Sequence, residues 1–171
     1  MESLEHACAR AAHIYGEIKG YGSVADPCDA EEGGGLGLAM QWALAHAGWR
    51  PEQIDYICAH APSDPHMDRI ETALIREVFG RQAYRIPVSS IKGVTGNPMG
   101  VGGVHQLIAS LLAMQHGLVP PTANYEAADP SCDLDYVPRM ARRAKLRKVL
   151  VNLHGFGRGN SCLLVEQLDI P

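Results

Sequence analysis

The sequence predicts an α/β fold, on three observations. Segments with apolar residues at helical spacing alternate with short apolar runs bounded by glycine and proline. The 171 residues suffice for one domain with its own core, and no linker or short-period repeat divides them, so residues 1–171 are expected to form a single domain. At the centre, an apolar run from Tyr84 to Val88 leads through Ser89 and Ser90 to Lys92. A glycine-rich loop follows, Gly93 to Gly103, and then an apolar helical segment, Val104 to Met114. That order reads as strand, tight loop and helix with an exposed N-terminus, where glycine lets backbone approach a ligand and free N–H groups favour negative charge.

Residues 2–13 have helical spacing, with Leu4, Ala7, Cys8, Ala11 and Ala12 on one face. From Ile14 to Tyr21, Ile14, Gly16, Ile18 and Gly20 alternate with Tyr15, Glu17 and Lys19, as a strand requires. Residues 23–35 read as a loop with Asp26, Asp29, Glu31 and Glu32 before three glycines. The helix expected over Leu36–Ala47 places Leu36, Ala39, Met40, Ala43, Leu44 and Ala47 together, and Gly48 stops it. Pro51 suits the first turn of a short helix, and Ile54–Ala59 a buried strand. Pro65–Phe79 reads as a helix burying Ile70, Ala73, Leu74 and Val78, ended by Gly80. Beyond Pro120-Pro121-Thr122 an irregular acidic segment reaches Asp135. Lys148–Leu153 and Ser161–Leu168 read as strands around the glycine-rich stretch His154 to Gly159.

A net charge of -4 and the absence of a basic run argue against a nucleic-acid surface. No apolar stretch reaches the length of a membrane span, and residues 1–20 lack a signal-peptide layout. The five cysteines are odd in number and form no CxxC, as expected of reduced thiols in a cytoplasmic protein. Of these, Cys162 reads as a buried strand residue. His66, His105 and His116 have no metal-ligand spacing with a carboxylate or cysteine, so no metal is expected.

Sites in α/β folds gather at the carboxyl ends of strands. His60, Lys92 and His154 each follow a predicted strand and are placed to meet along one edge. Asn97 is the other chemically capable side chain of the central loop, and its place beside Pro98 also suits a helix N-cap.

Three stretches carry a resemblance: Pro87-Val88-Ser89-Ser90-Ile91-Lys92, Val119-Pro120-Pro121-Thr122-Ala123-Asn124, and Cys132-Asp133-Leu134-Asp135-Tyr136-Val137-Pro138. With Leu4-Glu5-His6-Ala7 and Ile14-Tyr15-Gly16-Glu17, they make the chain resemble the C-terminal half of a β-ketoacyl-ACP synthase, the elongating ketosynthase of fatty-acid and type II polyketide synthesis. The resemblance implies a thiolase-like fold, with a mixed sheet, helices on both faces, and two similar halves packed into one body. It places His60 in the first histidine motif and Lys92 at the motif lysine. It makes Glu71 the acid pairing with that lysine, and Phe156 the aromatic gate beside the nucleophile.

The family's second histidine is replaced by Asn97, and Pro62 and Asp64 stand where threonines would contact a pantetheine arm. Asn97 leaves two readings open. An amide cannot exchange protons as imidazole does, so the chemistry is lost. Alternatively its N–H replaces the imidazole as a donor to enolate charge, as in Cys-His-Asn ketosynthases. None of the five cysteines stands in the nucleophile motif, which belongs to the family's other half, so the chain alone is expected to be inactive.

The expectation is a split acyltransferase whose partners are an N-terminal ketosynthase half and acyl carrier protein. No cofactor beyond the carrier's phosphopantetheine is implied. The start at Met1, where the family crosses between halves, motivates a natural subunit of a hetero-oligomer; a piece of a longer chain is the alternative. The rival reading is a non-catalytic partner like the chain-length subunits of aromatic polyketide systems. In either case the apolar helix over 101–116 is expected to face a partner half.

Overall fold

The computed structural model describes residues 1–29 and 33–168; the predicted loop acids Glu31 and Glu32 lie outside the described residues. The helices are α1 (Leu4–Ala9), α2 (Gly35–Ala47), α3 (Pro65–Phe79), α4 (Lys92–Thr95) and α5 (Gly102–His116). The strands are β1 (Glu17–Ala25), β2 (Tyr56–Cys58), β3 (Val88–Ser89), β4 (Leu118–Val119), β5 (Arg142–Arg143), β6 (Lys148–Gly155) and β7 (Gly159–Glu166). Short 3₁₀ turns cover Pro51–Gln53, Gly80–Tyr84 and Met99–Val101.

The main sheet has the order β1-β7-β6-β2-β3, with β4 and β5 forming a separate pair. The β1–β7 and β7–β6 pairs are antiparallel, whereas β6, β2 and β3 run parallel. Period-two alternation divides the core between the two faces. Ile57, Leu150 and Leu164 pack with Met40, Ala43, Ile75 and Phe79, beneath α2 and α3. Tyr56, Val149, Val151 and Val165 pack with Ala113 and Met114 of α5 on the opposite face.

The alternating glycines of β1 have a steric cause. A Cβ on Gly22 would sit 2.1 Å from the Ala39 carbonyl oxygen, and one on Gly20 2.5 Å from that of Ala43. Helix α2 therefore lies almost on the backbone of β1. Gly48, in the left-handed conformation, ends α2 as its sequence position predicts.

Several boundaries differ from the sequence reading. Helix α1 stops at Ala9, because its C-cap Arg10 and the positive φ of Ala11 leave the helical range. Strand β1 begins later and runs on to Ala25 through the predicted loop, held by its ladder to β7. The hairpin of β6 and β7 closes tighter than expected, so His154 is the penultimate residue of a strand. In the central unit the strand is only Val88–Ser89, and Lys92 opens a one-turn helix instead of a loop.

Helix α3 has its predicted limits but not its predicted face. The buried residues are Glu71, Thr72, Ile75 and Phe79, while Ala73 is exposed and Ile70, Leu74 and Val78 are half-buried. Apolar spacing misplaces the face because Glu71 and Thr72 have polar partners inside.

Candidate active site

The site grows from an accounting problem at the end of β2. The Ala59 amide still bonds to the Ser89 carbonyl at 3.0 Å, and then the chain leaves the sheet. The next two amides, His60 and Ala61, are inside the protein with no strand beside them, and buried N–H groups require acceptors. The Glu71 carboxylate supplies both, at 2.9 Å to His60 N and 2.8 Å to Ala61 N. The chain turns sharply through positive φ at Ala61 and Ser63, and Asp64 then caps α3 by accepting from the amides of His66 and Met67. That turn brings Glu71, two turns into the helix, back against the strand end.

Two further buried side chains complete the frame. The Asn152 amide of β6 donates to Glu71 Oε1 at 3.0 Å. From α5, the Gln106 amide donates to the carbonyls of Ala59 at 2.8 Å and Asn152 at 2.9 Å, tying the two parallel strand ends together.

Lys92 faces His60 from the start of α4. Its Nζ lies 2.7 Å from His60 Nδ1 and also donates to the His60 carbonyl oxygen. An ammonium only donates, so Nδ1 accepts and the neutral imidazole carries its proton on Nε2. Burial, reinforced by the Lys92 charge and by His154, pulls the His60 pKa down to about 3. His60 is thus a neutral ring with fixed orientation. Burial also lowers Lys92 to about 8, against the upward pull of Glu71.

The predicted pairing of Glu71 with Lys92 is corrected here. Among the described residues the two form no ion pair, because the carboxylate oxygens are engaged by backbone amides and Asn152. Glu71 acts on the lysine through space and on His60 through its backbone.

His154 stands across from His60, ring centroids 5.8 Å apart and edge to face. Its Nδ1 is 2.9 Å from Asn160 Oδ1, and the Asn160 amide donates to Asp26 Oδ1 at 2.8 Å. Asp26 in turn accepts from the amides of Gly33 and Gly35. His60, Asn97, His154 and Phe156 all line one cavity of about 620 Å³. Lys92 does not line it and reaches it only through His60. Asn97 is exposed and caps neither Met99–Val101 nor α5, which sets aside its reading as a helix cap. Phe156 is also exposed, at the rim.

Behind Glu71, Asp68 lines a separate cavity of about 380 Å³. Its Oδ1 is buried without a hydrogen-bond partner among the described residues, and burial, with Glu71 and Asp64 nearby, raises its pKa to about 7.

The sequence reading placed His60, Lys92, Glu71, Asn97 and Phe156 in one site, and all five lie around this strand edge. It left out Gln106, Asn152, Asn160, Asp26 and Asp68. A signal existed for two of them: Gln106 interrupts an apolar helix and Asn152 an apolar strand, and a lone amide there needs partners.

The family model described as "Beta-ketoacyl synthase, C-terminal domain" matches residues 15–126. The 3-oxoacyl-[acyl-carrier-protein] synthase 2 of Synechocystis sp. is 42% identical over 174 residues, covering 98% of this chain and 41% of the relative. Among solved structures, the ishigamide ketosynthase/chain length factor superposes with a TM-score of 0.92 at 36% identity, covering 98% of this chain and 41% of that one. A type II polyketide synthase acyl-carrier protein in complex with its ketosynthase, bound to the hexaketide, gives 0.93 at 34%, covering 98% and 42%. The chain thus spans about two fifths of the length of the proteins it matches, and its fold is the thiolase-like fold of the ketosynthases. By the family match and by the superposition of nearly its whole length, the chain belongs to the beta-ketoacyl synthase family, of which it carries the C-terminal domain.

Proposed function

We propose that this domain supplies the decarboxylation half of a β-ketoacyl-ACP synthase site, with the nucleophilic cysteine coming from an N-terminal half. The observation that carries this reading is the His60–Lys92 contact, made behind a cavity that His60 lines together with Asn97 and Phe156. A malonyl thioester entering past Phe156 places its carbonyl oxygen near the Nε2–H of His60. As CO₂ leaves, charge develops on that oxygen. His60 and the Asn97 amide stabilise it as donors already in place, and each such donor contributes about 2.7–4 kcal/mol. Lys92 keeps the His60 proton on Nε2 and so acts as a positioning residue. The resulting enolate attacks the acyl thioester on the partner's cysteine. Acyl carrier protein is the expected source of both acyl groups, and the domain alone is expected to be inactive.

The test is malonyl-ACP decarboxylation by this chain reconstituted with an N-terminal ketosynthase half. His60→Ala and Asn97→Ala are each expected to slow it about 10²–10³-fold. Unchanged rates in both variants would sink the catalytic reading and favour the second one, a non-catalytic partner that shapes the pocket of a true ketosynthase. That second reading draws on Asn97 in place of a histidine, on Pro62 at the cavity wall, and on the likeness to a ketosynthase/chain length factor pair.

A further inference from the structure

We propose that His154 is the proton-exchanging group of this site, a second imidazole working beside His60. The inference rests on the reading of the cavity as a malonyl-thioester site and adds a residue which that reading does not use.

The reaction itself poses the question. Decarboxylation of a malonyl thioester breaks the bond between the carboxylate carbon and the α-carbon, and CO₂ leaves. The electron pair passes into the enolate. Without an acyl acceptor, that pair then forms a C–H bond, so one proton is taken up for each CO₂ released. Some group at the cavity must deliver it. His60 is a poor carrier, because Lys92 occupies its Nδ1 and its ring stays neutral. The Asn97 amide does not exchange protons at useful rates. Asp64 spends a carboxylate oxygen capping α3. Lys92 does not line the cavity; His66 does, but as an exposed residue in the first turn of α3, at the solvent side of the cavity.

His154 meets the requirement on geometry. It lines the same cavity as His60 and Asn97 and is buried, its ring 5.8 Å from that of His60. It sits in a chain of polar contacts with no evident packing purpose: His154 to Asn160 to Asp26, ending on the Gly33 and Gly35 amides. Satisfying so many buried polar groups is more demanding than filling the place with an apolar side chain. The chain has a chemical effect. Asp26 accepts from the Asn160 amide nitrogen and so turns the Asn160 oxygen toward His154, which fixes the ring through Nδ1. In the proposed step the His154 imidazolium gives its proton to the enolate α-carbon and becomes neutral, and water at the cavity mouth recharges it.

The experiment uses the chain reconstituted with an N-terminal half and a malonyl thioester of pantetheine, following CO₂ release without acyl acceptor. His154→Phe keeps the ring volume and removes both nitrogens. It is expected to lower kcat about 10²-fold or more, with KM within about twofold. His154→Ala is expected to show the same loss and to recover on adding free imidazole, which a merely structural role would not produce. Should His154→Phe fail to fold, His154→Gln, whose amide can still donate to Asn160, takes its place with the same expectation. A wild-type rate in the Phe or Gln variant overturns the proposal, as does a His154→Ala loss that imidazole does not restore. Either result leaves the proposed function standing if His60→Ala remains slow. A wild-type rate in His60→Ala removes that function instead.

Discussion

Helices α3 and α5 are each fifteen residues long and cover opposite faces of the same strands, yet they finish their outer surfaces in opposite ways. On α3 the outer face is charged: Arg69 pairs with Asp129 at 2.9 Å and Arg76 with Asp133 at 3.2 Å. Its inner face carries polar residues, Glu71 and Thr72, each hydrogen-bonded. Between Gly102 and His116, α5 has no Asp, Glu, Lys or Arg, and Val104, Ile108 and Leu112 remain 53%, 50% and 42% exposed. A continuous exposed apolar stripe marks an interaction surface. One helix is therefore complete in water and the other is not, which matches a chain that spans about two fifths of its relatives.

The sharpest way to break this contrast is Glu71→Ala. It leaves the buried amides of His60 and Ala61 without acceptors, next to a buried Lys92 charge. A loss of about 3–5 kcal/mol in chemical denaturation is expected, and a loss below about 1 kcal/mol would show that Glu71 is not the keystone of the strand end. Next come paired isoleucines. Ile75→Ala on α3 should cost about 2–5 kcal/mol, because it opens a cavity in the core. Ile108→Ala on α5 should change the stability of the isolated chain by no more than about 0.5 kcal/mol. Ile108→Lys should instead weaken association with an N-terminal half by about 30-fold or more, read by titration calorimetry. Equal stability losses at both positions would erase the distinction between the faces.

A pH-dependent effect, smaller within any one pH unit, separates His60 from Asp68. The His60 pKa falls from 6.5 to about 3 on folding, so as pH drops below 6.5 the unfolded chain takes a proton that the native state refuses. Stability then falls with pH down to about 3, by at most about 1.4 kcal/mol per pH unit. Asp68 works in reverse. Its pKa rises from 3.8 to about 7, so its contribution is present at low pH and is lost as pH rises across that interval. The two slopes oppose one another between 3.8 and 6.5. Denaturation curves should therefore show stability falling with rising pH in His60→Gln and rising in Asp68→Asn. Matching slopes in the two variants would refute the assignment.

Much of this was legible in the residues themselves. Apolar spacing located α2 and α3 at nearly their final limits, and Gly48 and Gly80 end them as their positions predict. His60 and Lys92 could be placed on one edge, since parallel strands direct their carboxyl ends the same way. Other features were hidden. Two partners of Glu71 are main-chain amides, which every residue but proline possesses and no pattern reveals. Ser90-Ile91-Lys92 reads like a loop entrance, yet Lys92 starts a helical turn that brings its amine to His60. The relay from His154 to Asp26 joins residues more than a hundred positions apart.

By itself the sequence determined the order of the longer helices and of the main-sheet strands, the family, and the apolar character of α5, because these depend on local spacing and residue type; it missed the short α4, β4 and β5. Only the tertiary structure decided which carboxylate serves which donor, which nitrogen of His60 keeps the proton, and that His154 faces it. Those outcomes are set by the need to satisfy polar groups once burial has removed water, and that need arises only after distant segments have packed together.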